Sequence, residues 1–140
     1  MVLITQEESL KLGIPTIDSQ HETLIGLVNQ LHQTMLHGAD KKALDSLLSQ
    51  LVESTRNHFA YEEELMSRYN YPEYEDHKSE HKRLMQHLAD LVERYTSGEL
   101  LLSFAVVLEL KTWAIVHIEN ADKPLGTYLK SKDVIEATPG

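Results

Sequence analysis

Residues 58–81 read HFAYEEELMSRYNYPEYEDHKSEH. The stretch holds two pairs of metal-capable side chains at one helical turn each, His58 with Glu62 and His77 with His81. Residues four apart on a helix project from the same side, one above the other, so each pair is spaced to grip one ion. Pro72 separates the pairs. It turns Tyr71 away from helical geometry, which ends one helix before it and lets another begin after it.

Working outward, four amphipathic stretches with a period near 3.6 account for most of the chain. The first runs from about Asp18 to Leu36, with Asp18 or Ser19 as N-cap, Leu24, Val28, Leu31 and Met35 as its stripe, and Gly38 as its stop. His21 lies on that stripe. The second follows Asp40, a further N-cap candidate, and runs to about Arg68. Its apolar face of Leu44, Leu47, Leu48, Leu51 and Thr55 continues into His58, Glu62, Leu65 and Met66. The third, from about Glu73 to Thr96, carries His77, His81, Leu84, Leu88, Leu91 and Tyr95 on one face, with Gly98 after it. The fourth, from about Leu100, carries Phe104, Val107, Leu110, Trp113 and His117. A short helix over about Pro124–Lys130 follows, with Asp122 capping it or close by. Residues 131–140 read as a frayed tail or the start of a linker.

The expected fold is therefore all-α, an up-down-up-down antiparallel four-helix bundle with a short C-terminal helix. A chain of 140 residues is one domain's worth, and no internal repeat divides it. A net charge of −9 without a basic stripe argues against nucleic acid or an anionic membrane as partner. No apolar run approaches the roughly 20 residues of a spanning helix, and the N-terminus lacks a basic-then-apolar signal pattern, so the expected location is cytoplasmic. The absence of cysteine removes both a disulfide framework and thiolate metal ligation. The eight histidines are the feature that an ordinary core leaves unexplained.

Antiparallel packing sorts them. His21 lies near the start of the first helix, His58 and Glu62 late in the second, His77 and His81 at the start of the third, and His117 at the end of the fourth. All six fall at one end of the bundle, and each replaces an apolar residue on a core-facing stripe. A carboxylate or imidazole buried without partners is costly, and a metal ion satisfies both. Asp122 fits this pattern less simply. Five residues past His117, it points roughly 140° away on an ideal helix and joins the same site only if the backbone unwinds, bulges or turns between them. Five imidazoles and two carboxylates exceed the four ligands of a structural zinc and suit two ions that share carboxylates. The Glu-x-x-His pairs of ferritin-like di-iron proteins are absent from the sequence.

The segments GIPTIDSQH (13–21), HFAYEE (58–63), HKSEH (77–81) and WAIVHIENADKPLG (113–126) resemble the hemerythrin family, in particular bacterial hemerythrins, over roughly residues 10–130. Myohemerythrin is itself a known example of the up-down bundle. The resemblance implies two iron ions with a bridging oxo or hydroxo group, and dioxygen as the reversibly bound ligand. It implies that His77, His81 and His117 hold one iron and that His21 and His58 hold the other, which keeps an open position. Glu62 and Asp122 would bridge the two. It also implies an apolar dioxygen pocket lined by Leu24, Phe59, Trp113, Ala114 and Ile118. Two departures bear on that pocket: Gln6 stands where the family often has tryptophan, and Ala114 stands where it commonly has leucine.

The implied function is that of a dioxygen carrier, store or sensor and not of an enzyme. An alternative is an oxygen- or redox-sensing input domain attached to a signalling module. A di-iron peroxidase or nitric oxide scavenger ranks last, because no second acid–base pair is poised beside the site. His32, His37 and His87 lie outside the ligand pattern, and Glu63 and Glu64 turn away from the face of Glu62, toward solvent.

Overall fold

The computed structural model describes residues 12–38, 41–98 and 104–132. Helix α1 spans Pro15–Leu36, α2 Lys41–Arg68, α3 Tyr74–Thr96 and α4 Phe104–His117. A π-helical turn, Ile118–Asp122, joins α4 to the short α5, Lys123–Ser131. Helix α1 packs against α2 and α4, and α2 packs also against α3, which is the order of an up-down-up-down bundle. Asp40, Leu100, Gln6 and residues 133–140 lie outside the described residues.

Helix α1 starts three residues before the expected cap. Pro15 occupies its first position, where a missing N–H and a fixed φ cost nothing, and Ile14 is the N-cap. The Asp18 carboxylate turns back instead of capping, accepting the N–H of Leu12 at 2.7 Å and of Gly13 at 3.1 Å. It therefore anchors the chain entering the helix, and its charge also lies favourably in the first turn. The other end stops as expected: Gly38 adopts φ +68°, and its N–H donates to Met35 O, closing the helix through a conformation that favours glycine.

The connection between α2 and α3 is tight. Asn70 takes the left-handed conformation at φ +53°, and the N–H of Tyr71 reaches back to Met66 O at 2.9 Å. Tyr128 of α5 donates to Tyr69 O at 2.8 Å, which pins the short helix across this turn. Leu125 and Leu129 are fully buried beneath it. A Cβ at Gly126 would stand 2.8 Å from the Leu12 side chain, so α5 reaches this seat only with glycine there. The result is a closed end to the bundle over which α5 lies, and Asp122 enters the interior from that lid.

The core follows the stripes. Ile17, Leu31, Leu48, Leu65, Met66, Leu88 and Val107 are all nearly or completely buried. Each such side chain contributes about 1.5–3 kcal/mol on burial, and this apolar mass supports the polar cluster at one end. His32, set apart from the ligand pattern, is also buried, at 2% exposure.

Candidate metal centre

Seven polar side chains converge inside the closed end: His21 from α1, His58 and Glu62 from α2, His77 and His81 from α3, His117 from the end of α4, and Asp122 from the π turn. All are buried, and Glu62 and Asp122 expose nothing to solvent. The structure thus brings together every residue named from the sequence as a metal ligand. Asp122 joins them because the backbone widens there. The N–H of Lys123 bonds to Ile118 O, five residues back, and the added residue per turn brings Asp122 round to the side of His117. Its carboxylate makes no capping bond to α5.

The two carboxylates divide their oxygens in the same way. Asp122 Oδ2 lies 2.9 Å from His21 Nε2 and 3.9 Å from His58 Nε2. Its Oδ1 lies 3.1 Å from both His77 Nε2 and His117 Nε2. Glu62 Oε2 lies 3.3 Å from His58 Nε2 and 4.0 Å from His21 Nε2. Its Oε1 lies 3.0 Å from His81 Nε2 and 3.4 Å from His77 Nε2. Donor atoms therefore form two groups, one with His77, His81 and His117 and the other with His21 and His58, and both groups include Glu62 and Asp122.

Hydrogen bonding alone does not satisfy this arrangement. Neither oxygen of Glu62, nor Nε2 of His81 or His117, has a hydrogen bond of good geometry, although each has a counterpart at 3.0–3.4 Å. Nε2 of His21 and Nε2 of His58 face each other at 3.1 Å. Ligand atoms gathered within 4.8 Å of one another suit ions placed between them. Ligands at right angles, each about 2.1 Å from an ion, stand about 3.0 Å apart, which matches these spacings. The imidazole-rich set suits first-row transition metals.

The electrostatics agree. Burial pushes the His58 imidazole down, but the charge of Glu62 and the contact with Asp122 outweigh it and raise His58 to about 10. His77 is likewise lowered by burial and raised by Asp122 and Glu62, to about 9. Burial and the charge of Asp122 push Glu62 up, yet His58 and His77 bring it well below the usual carboxylate range. Burial raises Asp122 too, and its contacts with His117, His21, His58 and His77 more than reverse this. The two carboxylates thus favour positive charge around them, on His58 and His77.

Two further residues act behind the cluster. His58 Nδ1–H donates to Gln20 Oε1 at 2.6 Å, and His81 Nδ1–H donates to Glu63 Oε2 at 3.0 Å. Such outer contacts fix which nitrogen carries the proton and turn the other toward a metal. The sequence reading placed Glu63 in solvent, and the structure corrects this. Glu63 does turn away from the face of Glu62, but α3 lies in that direction. Neither contact has a spacing signal, because each crosses between helices.

This chain belongs to the hemerythrin family. The hemerythrin HHE cation-binding domain matches residues 12–129. A bacteriohemerythrin of Stenotrophomonas maltophilia is 32% identical over 133 residues, covering 94% of this chain and 84% of its own. A crystal structure of hemerythrin with one leucine changed to alanine superposes with a TM-score of 0.83 at 30% identity, over 92% of this chain and 98% of that one. The wild-type hemerythrin structure gives 0.81 at 29% identity, over 91% and 98%. Hemerythrins are oxygen-binding di-iron proteins, and the buried histidine–carboxylate cluster of this hemerythrin is a set that can hold metal. No helix among the described residues is long and apolar enough to cross a membrane.

Beside the cluster lies a cavity of about 50 Å³, several times the ~10–15 Å³ that a water-sized guest needs. Leu24, Phe59, Trp113, Ala114 and Ile118 line it, together with Leu51, Leu84 and Leu110, and it opens onto His21, His58, His117 and Asp122. Thr55 also reaches the wall, but its hydroxyl donates to Leu51 O at 2.7 Å. Glu119 is exposed. Among the described residues the walls are apolar except for Thr55 and where they meet the cluster.

Proposed function

We propose that this chain binds dioxygen reversibly at two irons. His77, His81 and His117 hold one iron, His21 and His58 hold the other, and Glu62 and Asp122 are shared. The observation that carries this reading is the matched division of the two carboxylates between a three-histidine and a two-histidine group. The group with fewer histidines has room for an exogenous ligand, and His21 and His58 both border the apolar cavity. When bound, the irons supply reversible electron exchange with dioxygen.

The protein's own residues supply the rest. Four helices and the π turn hold the donor atoms at fixed spacing. Leu24, Phe59, Trp113 and Ile118 shield the ligand from bulk water, and Ala114 is the thinnest point of that wall. Apart from the proposed ligands, the described residues of the cavity wall carry no ionisable side chain, and the Thr55 hydroxyl is engaged by its own helix. A wall without a proton donor favours binding and release over turnover, which supports a carrier, store or sensor above an enzyme. Cycling the iron-loaded chain between air and nitrogen tests this. An absorption band that appears with oxygen and disappears on its removal, over repeated cycles, is the expected result. Immediate irreversible oxidation, or steady oxygen consumption with a reductant present, contradicts it.

A further inference from the structure

Glu62 and Glu63, consecutive on α2, flank opposite edges of one ring on α3. Glu62 Oε1 stands 3.0 Å from His81 Nε2, and Glu63 Oε2 stands 3.0 Å from His81 Nδ1. Phe59 covers the face of the same ring, stacked at 3.8 Å with an interplanar angle of 6°. His81 is thus fixed in position. The two sides of the centre are not treated alike. The outer nitrogen of His58 meets the neutral amide oxygen of Gln20, whereas that of His81 meets an anion.

We propose that Glu63 is a positioning residue that fixes the His81 ring and, as an anionic acceptor, makes the metal on the His77, His81 and His117 side more tightly held and more readily oxidised. A carboxylate accepting Nδ1–H draws that proton away from the ring and makes Nε2 a stronger donor. A stronger donor stabilises the more highly charged metal. Glu63 also borders a surface cleft between α2 and α3 that includes Lys78 and Lys82, and its side chain is 27% exposed. Glutamine therefore replaces it without emptying any core space. The proposal rests on the di-iron reading of the site.

The test compares the full iron-loaded chain with E63Q and E63L. In a mediated spectroelectrochemical titration each ferrous ion oxidised gives one electron to the mediator, and E63Q should show a positive shift in midpoint potential. E63L, lacking any acceptor, should hold metal about 10- to 100-fold more weakly against a chelator. In zinc-loaded, ¹⁵N-labelled protein, His81 should keep its proton on Nδ1 in the parent and in E63Q. An unchanged or negative potential shift in E63Q, with two irons bound in both proteins, overturns the proposal and leaves the di-iron reading standing. A parent chain that fails to bind two irons overturns the di-iron reading itself.

Discussion

Asp122 Oδ2 stands 2.9 Å from His21 Nε2 and joins residues 101 positions apart. That contact closes the site, because it ties the lid formed by the π turn and α5 to the start of the first helix. It exists only because the backbone leaves α-helical pitch between His117 and Asp122. The same carboxylate meets His77 and His117 through its other oxygen. Asp122 and Glu62 are thus alike in facing both histidine groups.

Removing either carboxylate should therefore cost the pair of metals, not one alone. Glu62→Ala and Asp122→Ala are each expected to lose paired iron while keeping near-parental helical content, because the apolar stripes remain. Elemental analysis with circular dichroism checks this. A Glu62→Ala protein with two irons and an unchanged iron absorption band would show that Glu62 is not shared.

Chelation should destabilise the fold. Metal bound to the native state at a thousandfold excess over its dissociation constant contributes about 4 kcal/mol, which for a chain of this size corresponds to a fall in Tm on the order of 10–20 °C when it is removed. Thermal unfolding with and without a strong chelator measures it. Equal Tm values would mean that the cluster holds no metal in the protein as prepared.

The chelated protein should also lose stability toward alkaline pH. His58 and His77 are raised to about 10 and about 9. A raised imidazole contributes in full below its unfolded value near 6.5, and the contribution is lost as pH climbs through the folded value. Glu62 and Asp122 are depressed, so their contribution is present above their ordinary 4.5 and 3.8 and is lost as pH falls. Stability of the metal-free form should peak between about pH 5 and 6.5 and decline toward pH 10. Urea midpoints at pH 6, 8 and 10 test the sign, and a midpoint that rises across this series contradicts it.

Ala114 leaves room in the cavity wall beside Trp113. Leucine there adds about three methyl(ene) groups, which narrows the space open to water. Ala114→Leu should autoxidise more slowly than the parent, read as decay of the oxygenated band in air-saturated buffer at fixed pH. A rate equal to or above the parent's would show that the gap does not admit water or protons.

Much of this site was legible from the chain. His21, His58, Glu62, His77, His81 and His117 interrupt apolar stripes at one bundle end, and helical periodicity alone sorts them. Asp122 was not, because five-residue spacing joins one face only at π pitch, which no residue of IENAD announces. The resemblance to hemerythrins supplied it. Glu63 and Gln20 were missed for another reason: a helical wheel says which way a side chain leaves its own helix, but not which helix lies there. Asp18 looked like a cap until Pro15 took the first position of α1 and freed its carboxylate for Leu12 and Gly13.

The central claim is that Glu62 and Asp122 are shared by two irons, and metal stoichiometry tests it most directly. Elemental analysis of the chain produced with iron available should find two irons per chain, in line with the two donor groups. One metal per chain, or zinc alone, would contradict the account.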